Sequence, residues 1–449
     1  MPGSRNIVFL VFDTMRLDAI SVYNELRVTP NFADLAREST VFTNNISSAP
    51  WTVPSHASLF TGKYPMEHNV RFQEGNRDFL ATSRLMNEYK GDTIAEVLQK
   101  HGYSTYGLSA NTGIVPGSGF DRGFDIFTFF DPMGNFALNN EWSMVKEDIV
   151  RRFGETKTEI LKNMLFHANP GSTLKYLNKY FRLRRGVNKS YKRYDFPLNK
   201  SGKQIIDTIQ RSSLSQPFFL FINFMEFHEP YVRDFSPQME QAYSLGLVNP
   251  SRKIMEEVRS AYYREAEQAD WELGQMIKFL KENNIYDDTA LVVTSDHGQS
   301  LFEHGFYGHG IYLHDELIKV PLMIKLPRPQ PKHRFINDLF SNTGLFDIVK
   351  SLPYDTDPVM PSFPFVLSEA DGSWKVPGSI VSDNEEAKRR LKNMDSRRVA
   401  IFKDGFKLII NGTEENMEYF EKDGKTVSRE EYREAFNDLS ETINIVGWP

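Results

Sequence analysis

The hydroxyl of Thr52 lies in the run PWTVPSH at 50–56, where a proline-rich turn leads into a predicted helix start. Free backbone N–H groups and the helix dipole at such a position favour an anionic group. A hydroxyl there is either a helix cap or a nucleophile. This segment alone leaves both alternatives open.

Two further segments carry residues that could bind a metal. Asp13 follows the apolar run 7–12, and the pair Asp296-His297 follows the apolar run 290–294. By itself, Asp13 is equally a turn or helix-cap carboxylate. A carboxylate beside an imidazole in a strand-end loop, with a glycine next to them, suits a divalent metal. Together these residues predict a metal site.

Additional imidazoles lie near these segments in the sequence. The run EHGFYGHG at 303–310 places His304 and His309 among three glycines, and His228 follows the apolar run 217–224. A glycine-rich loop with two histidines is rarely only a linker. We therefore include these histidines among the candidate site residues.

The elements that must position these residues are predicted from the periodicity of the chain. Short continuous apolar runs alternate with amphipathic stretches at helical spacing; the runs are 7–12, 105–109, 217–224 and 290–294, and the stretches are 93–101 and 259–281. Continuous apolar runs indicate strands that are buried on both faces. We predict an α/β fold with a large, mostly parallel sheet sandwiched by helices. Ligands bind such sheets at the carboxyl ends of the strands, where Asp13, His228 and Asp296 are expected to lie.

The chain is predicted to divide into a catalytic α/β domain, 1–395, and a small C-terminal subdomain, 396–449. In the latter, two short strands at 399–402 and 407–410 flank an Asp-Gly turn, which is typical of an antiparallel hairpin, and a helix is predicted at 428–436.

Residues 131–200 do not follow the alternation of predicted strands and helices, and they are predicted to form a basic helical insertion. Residues 151–200 contain thirteen Lys and Arg against three acidic residues. The insertion is either a solvated helical face or a basic surface for an anionic substrate, a polymer or a lipid headgroup. The second alternative would allow peripheral membrane contact.

Composition excludes several classes of protein. A net charge of −6 over 449 residues gives no global reason to expect nucleic-acid binding, and the absence of cysteine excludes disulfides and thiolate metal sites. The N-terminal apolar run is too short for a signal peptide, and no run approaches the roughly 18 apolar residues of a membrane span. We expect a soluble cytoplasmic protein.

Eight motifs, in this order, resemble the sulfatase family of the alkaline phosphatase superfamily. They are DTMR at 13–16, TPN at 29–31, PWTVPSH at 50–56, GFDRGFD at 119–125, FHEPY at 227–231, TSDHG at 294–298, EHG at 303–305 and DELIKVP at 315–321. The resemblance covers roughly 1–130 and 205–449 but not the insertion. It implies that Asp13, Thr52, Asp296 and His297 hold a divalent metal. It also implies that Thr52 is at the nucleophile position.

The sequence departs from the family pattern at four positions. Sulfatases carry Cys or Ser, oxidised to formylglycine, followed by x-Pro-Ser-Arg, whereas this chain has Thr52 and, at the arginine position, His56. Thr14 stands where many sulfatases have another metal-binding aspartate, and His309 where many have lysine. Oxidation of a threonine would give a ketone rather than an aldehyde, so the formylglycine route is closed. Unmodified threonine can act as an alkoxide when a cation lowers its pKa, and phosphate-transferring relatives use threonine here.

We therefore predict a metal-dependent hydrolase or transferase of phosphate mono- or diesters or phosphonates. In this prediction Thr52 attacks phosphorus, and His309 or His228 protonates the leaving oxygen. The predicted substrate-binding residues are His56, Asn111 and His304. His56 could equally be a buried histidine in the first turn of the helix.

The predicted donor set of two carboxylates, one imidazole and one alkoxide favours Mn²⁺, Zn²⁺ or Fe²⁺ over Mg²⁺ or Ca²⁺. One ion is favoured. A second would need about three more ligands, for which the candidates are Glu226, His228, His304 and His309. The expected substrate is a small anionic ester, either free or linked to a lipid or a glycan.

Two alternatives remain open at this point. One is a sulfatase that acts without formylglycine, with Thr52 attacking sulfur. The other is a non-catalytic relative that binds an anionic glycan or lipid. The sequence does not encode the alcohol part of the substrate, the identity of the metal or the oligomeric state.

Overall fold

A computed structural model describes residues 5–73, 78–131, 182, 200–232, 242–328, 334–354, 358–372, 385–412 and 417–445. By contacts the chain divides into two units, one of residues 1–130 with 201–449 and the other of residues 131–200. The description below concerns the first unit. The predicted basic surface at 151–200, with its proposed membrane contact, lies outside the described residues except for residues 182 and 200.

The strands are numbered in chain order. They are β1 (Asn6–Phe12), β2 (Thr40–Phe42), β3 (Asn45–Ile46), β4 (Ser104–Ser109), β5 (Ile126–Phe129), β6 (Phe218–Phe224), β7 (Thr289–Thr294), β8 (Ser300–Leu301), β9 (Tyr307–Gly308), β10 (Leu322–Lys325), β11 (Arg334–Ile336), β12 (Phe340–Ser341), β13 (Val366–Asp371), β14 (Arg397–Lys403), β15 (Phe406–Asn411), β16 (Met417–Lys422) and β17 (Lys425–Thr426).

The α-helices are numbered likewise. They are α1 (Pro30–Ala36), α2 (Thr52–Thr61), α3 (Pro65–His68), α4 (Phe79–Arg84), α5 (Ile94–Lys100), α6 (Gly202–Gln210), α7 (Arg252–Glu282), α8 (Asp315–Ile318), α9 (Gly344–Ser351), α10 (Glu385–Met394) and α11 (Arg433–Ile445). In the described part of the chain, no helix combines the length and the apolar character needed to cross a membrane.

The main sheet has eight strands in the order β11-β2-β10-β7-β1-β6-β4-β5. β10 is antiparallel to both of its neighbours, and the other neighbouring strands run parallel to each other. All residues of β1, β6 and β7 are buried. These strands are apolar on both faces because helices cover both faces. The predicted large, mostly parallel sheet flanked by helices is confirmed.

The alternation of side chains along β1 divides the core into two layers. Val8, Leu10 and Phe12 pack in one buried cluster with residues of α6 and α7. Ile7, Phe9 and Val11 pack in the other with residues of α2, α5 and α9. Burying each such side chain contributes about 1.5–3 kcal/mol, so β1 is held firmly and its carboxyl end is a rigid platform.

A separate antiparallel sheet, in the order β13-β14-β15-β16-β17, lies near the C-terminus and packs against α11. The predicted hairpin is present as β14 and β15, and its turn residues Asp404 and Gly405 have φ of 51° and 79°. β13 also joins this sheet although it precedes residue 396, because Val366–Asp371 pairs with β14. The helix predicted at 428–436 instead begins at Arg433 and ends at Ile445.

The buried carboxyl of Glu369 on β13 should make stability depend on pH. Burial is the main cause that raises the pKa of Glu369 from 4.5 to about 8, and the charge of Asp371 is the next. The Arg71 guanidinium, 3.9 Å away, lowers this pKa but does not offset the rise. The unfolded chain ionises this group at a lower pH than the folded chain. The native state therefore loses stability as the pH rises from about 4.5 to 8. The unfolding free energy of Glu369→Gln, measured by urea denaturation, should not fall in this way. Its advantage over wild type should therefore grow by on the order of 3–5 kcal/mol across this pH window. A pH-independent difference would contradict this assignment.

Candidate active site

Polar side chains that follow two parallel strands meet at one edge of the main sheet. Asp13 directly follows β1, and Asp296 and His297 follow β7. All three are fully buried, and each offers a ligand atom within 4.8 Å of the others. We refer to these three residues as the Asp13 cluster. It lies where α/β sheets bind their ligands.

The carboxylates of this cluster have unsatisfied oxygens. Oδ1 of Asp13 and Oδ2 of Asp296 are buried and have no hydrogen-bond partner among the described residues. They lie 3.9 and 3.4 Å from Nε2 of His297. Buried carboxylate oxygens without donors are costly unless a cation compensates them. The residues present therefore fit a divalent cation.

The hydrogen bond at the other ring nitrogen of His297 determines its tautomer. Nδ1 lies 2.8 Å from the carbonyl oxygen of Gly298, which can only accept. Nδ1 therefore carries the proton, and the lone pair of Nε2 faces the carboxylates. Most metal-binding histidines are held in this way.

The two carboxylates differ in their pKa. Burial acts to raise the pKa of Asp296, but the neighbouring imidazoles of His297 and His56 hold it well below its usual range. Burial raises the pKa of Asp13, and the charge of Asp296 raises it further. The ion-free cluster thus disfavours a second negative charge, which a bound dication would accommodate.

Thr52 faces the same cluster. It is the first residue of α2 and is 2% exposed. Its Oγ1 lies 3.3 Å from Nε2 of His297 and 3.4 Å from Oδ2 of Asp13. Trp51, with φ −157° and ψ 160°, occupies the N-cap position. The hydroxyl therefore faces the Asp13 cluster and does not cap the helix.

Two serine hydroxyls link the segment around the start of α2 to the loop that contains Asp296. Ser55 donates to the carbonyl oxygen of Asp296 at 2.6 Å, and Ser47 donates to the same oxygen. The start of α2 and the Asp296 peptide are therefore held together. Sequence reasoning did not identify these serines, although Ser55 belongs to the PWTVPSH run.

Thr14 has a left-handed backbone, with φ of 57°. A β-branched residue rarely adopts this conformation, which costs on the order of 1–3 kcal/mol. It directs the Thr14 amide to Oδ1 of Asp296 at 3.2 Å, while the Thr14 carbonyl accepts from the Tyr262 hydroxyl at 2.9 Å. The strained residue thus orients one carboxylate of the cluster.

Two predicted substrate-binding residues, Asn111 and His56, contact the Asp13 cluster. Nδ2 of Asn111 donates to Oδ2 of Asp13 at 2.7 Å. His56 is fully buried, with Nδ1 at 3.0 Å from the Thr52 carbonyl oxygen and 3.3 Å from Oδ2 of Asp296. Its Nε2 lies 3.1 Å from Nδ2 of Asn223. His56 thus fits the alternative of a buried histidine in the first helical turn.

The pKa of His56 reflects opposing influences. Burial lowers it, but the contact of Nδ1 with the Asp296 carboxylate and the charges of Asp296 and Asp13 raise the pKa above its usual value overall. A protonated His56 carries a proton on Nε2, which needs a hydrogen-bond acceptor. The amide oxygen of Asn223 has no hydrogen-bond partner among the described residues. Rotation of that amide would supply it.

His228 and His309 lie beside the Asp13 cluster. The His309 ring centroid is 4.6 Å from that of His297 and 5.2 Å from that of His228. Nδ1 of His309 lies 2.7 Å from Oε1 of Gln299, whose Nε2 donates to Oε2 of Glu229 at 3.0 Å. Burial lowers the pKa of His309 to about 3, so this imidazole is neutral near pH 7.

Two candidates for a second metal site lie elsewhere. The His304 ring stacks on His314 with a centroid separation of 3.9 Å, and its Nε2 is 3.8 Å from Oε1 of Glu316. Oε1 of Glu226 accepts from the Gly202 amide at 3.1 Å. Neither contact joins them to the Asp13 cluster.

Sequence reasoning also missed Glu229 and Gln299. Glu229 directly follows His228, and Gln299 follows the TSDHG run by one position. Their adjacency to named candidates was the available signal. A single carboxylate or amide in a loop has no periodicity that distinguishes it from surface residues.

Gly298 should be irreplaceable because the backbone of α8 passes directly over it. A Cβ at this position would lie 2.1 Å from the carbonyl oxygen of Glu316. Gly298→Ala should lower the unfolding free energy by about 1–3 kcal/mol or more and displace His297, measured by denaturation and metal titration. Gly305→Ala is the control, since the new Cβ would have open space around it. Its cost is that of an alanine in the left-handed backbone conformation, roughly 1–2 kcal/mol. Equal costs and unchanged metal binding in both variants would contradict the prediction.

The chain is similar in sequence to known proteins. A sequence profile described as sulfatase matches residues 5–352. The arylsulfatase of Clostridium perfringens is 24% identical over 354 residues, covering 72% of this chain and 68% of the relative.

Solved structures share the fold over nearly the whole chain. A phosphonate monoester hydrolase from Silicibacter pomeroyi has a TM-score of 0.65 at 15% identity, covering 98% of this chain and 94% of its own. A 2-O GAG sulfatase has a TM-score of 0.64 at 13% identity, covering 99% and 92%. At these identities the likeness shows a shared fold.

Proposed function

The chain belongs to the sulfatase family, whose members hydrolyse sulfuric or phosphoric esters, and we propose that it cleaves phosphate esters or phosphonates through Thr52. The observation that carries this proposal is the Thr52 hydroxyl, buried 3.3 Å from His297 and 3.4 Å from Asp13. An unmodified alcohol in that place suits attack on phosphorus. The fold shared with a phosphonate monoester hydrolase is consistent with it.

The family generally binds a divalent metal, and Asp13, Asp296, His297 and the Thr52 oxygen are the residues that would hold it here. A bound dication would lower the pKa of the Thr52 hydroxyl and stabilise negative charge on the substrate. Asn111 orients Asp13, and the Thr14 amide orients Asp296.

In the proposed reaction the Thr52 hydroxyl loses its proton to water, and its oxygen forms a bond to phosphorus. The bond from phosphorus to the leaving oxygen breaks, and that oxygen receives a proton. We assign proton delivery to His228, because His309 is neutral near pH 7 and is a poor acid there. Water then releases the phosphoryl group from Thr52 in hydrolysis, or a second alcohol does so in transfer.

Hydrolysis of sulfuric esters is the second candidate, favoured by the family match and by the arylsulfatase relative. Parallel assays of one aryl alcohol as phosphate monoester, diester, phosphonate and sulfate would separate the two. We expect a phosphorus ester to have the highest kcat/KM, with a phosphorylated Thr52 trapped on intact protein and seen by mass. A sulfate that turns over fastest would favour the second candidate. No Thr52-dependent turnover of any of these esters, together with no bound metal, would revive the non-catalytic alternative.

A further inference from the structure

A cavity of about 560 Å³ lies between the tip of the β8-β9 hairpin, the segment 244–246 and α10. Its lining includes His304 and Phe306 from the hairpin and Arg389 and Arg390 from α10. Small-molecule sites usually have volumes of roughly 300–1,000 Å³. We propose that this cavity, the His304 pocket, binds an organic anion, that is, a carboxylate, sulfate or phosphate group carried on a largely apolar body.

The floor of the His304 pocket is apolar and firmly packed. Leu245, Phe306 and Met394 are buried, and they belong to one cluster with residues of α8 and β13. The ring of Tyr312, which also lines the pocket, meets the Phe306 ring edge to face with the centroids 4.9 Å apart. An apolar floor of this kind favours the carbon body of a ligand over water.

The rim of the pocket is basic. Among the described residues, His304, Arg389 and Arg390 line the pocket and no Asp or Glu does. Nη1 of Arg390 donates to the carbonyl oxygen of Gly246, which holds this guanidinium at the pocket. A guanidinium has five N–H donors and can bind two oxygens of one anion at once. The charged part of the ligand is therefore expected to be an anion.

The end of α10 does not oppose an anion in the pocket. Carbonyl oxygens at the C-terminus of a helix carry partial negative charge. Arg398 donates to the carbonyl oxygens of Asn393 and Met394, at 2.9 and 3.4 Å. The Arg398 side chain is fully buried and pairs with Glu418 at 2.8 Å. The negative end of α10 is thus compensated from within the fold.

The tip of the hairpin has an unusual backbone that places His304 at the pocket. Phe302 and His304 have φ of 75° and 53°, a left-handed conformation that residues other than glycine rarely adopt. Between them, Glu303 accepts from Arg16 at 2.9 Å and so faces the loop after β1. His304 instead lines the pocket, and its ring stacks on that of His314 with the centroids 3.9 Å apart. Strained residues of this kind are concentrated at ligand sites.

The test measures the binding of 2-naphthoate, one carboxylate on an apolar body, to the full chain by calorimetry. The uncharged probe of the same shape is 2-naphthamide, which should bind at least about tenfold more weakly. In Arg389→Gln and in Arg390→Gln, the Kd of 2-naphthoate should rise by at least about tenfold. Lys388→Gln is the matched control, because Lys388 lies on the same helix, pairs with Glu385 at 2.6 Å and does not line the pocket. Its Kd should equal that of the wild type.

Two results would overturn the proposal. One is a Kd that neither arginine variant changes, and the other is loss of binding in Asp296→Asn, which would place the probe at the Asp13 cluster. Melting temperatures near that of the wild type would show that the arginine variants are folded. The binding measurement involves no turnover, so failure of this proposal and failure of the proposed reaction at Thr52 are distinguishable.

The anion is either part of the substrate or a separate molecule, and ester hydrolysis in the presence of 2-naphthoate distinguishes the two sources. This measurement alone rests on the proposed function. Competitive inhibition that is lost in Arg389→Gln would identify the pocket as the site of the alcohol part of the substrate. Binding of 2-naphthoate without competition would identify a separate ligand, and either result supports an anion site at the pocket.

Discussion

Thr52→Ala should abolish turnover, with kcat falling on the order of 10⁴-fold or more. Alanine removes the hydroxyl that lies 3.3 Å from Nε2 of His297 and 3.4 Å from Oδ2 of Asp13. The side chain otherwise makes a small contribution to packing, so the fold should persist. The measurement is steady-state hydrolysis of the best aryl ester, with intact mass to detect the covalent intermediate in the wild type.

Thr52→Ser is the matched control because it keeps a hydroxyl at the same place. It should retain activity within about 100-fold of the wild type and still form the adduct. Near-normal activity in Thr52→Ala would exclude Thr52 as the nucleophile. Comparable melting temperatures of the two variants would show that the loss is chemical.

Asp296→Asn should remove the metal and, with it, nearly all activity. The amide keeps an oxygen for the Thr14 and His297 amides, at 3.2 and 2.9 Å, but replaces the charged Oδ2 by a neutral donor. Loss of outer-sphere partners already costs 10–100-fold in metal affinity, so loss of a direct ligand should cost more than about 100-fold. Metal affinity is measured by titration of the chelator-treated protein.

Asp34→Asn provides the comparison for this variant, since Asp34 is exposed and forms a surface ion pair with Arg37. It should bind metal and turn over as the wild type does. If Asp296→Asn bound metal with unchanged affinity, the cation site would have to lie elsewhere. If it lost metal but kept its activity, the catalytic role of the metal would be wrong.

The centre of the fold could be predicted from sequence because its signals are local. β1 and β7 are mostly apolar runs; Asp13 follows β1 directly, and Asp296 follows β7 after one serine. The parallel arrangement then brings Asp13 and Asp296 to the same edge without any further information. The turn at 50–56 also predicts the start of a helix.

Other features depend on contacts between distant parts of the chain. β13 joins the C-terminal sheet through pairing with β14, and nothing within its own six residues indicates this partner. His56 was ambiguous because its burial depends on Asn223, which lies 167 residues away. The positive φ of Thr14 runs against the preference of a β-branched residue and follows only from the contacts it makes.

The serine bonds that join the Thr52 helix to Asp296 have a consequence for how this protein matures. In a formylglycine sulfatase the nucleophile must be made by an oxidising enzyme, which needs access to the segment. Here Thr52 is 2% exposed, and as the proposed nucleophile it would need no such step. Ser47 and Ser55 assemble its surroundings as the chain folds. We therefore expect chain synthesised in any host, without a maturation partner, to become competent on folding and metal uptake alone.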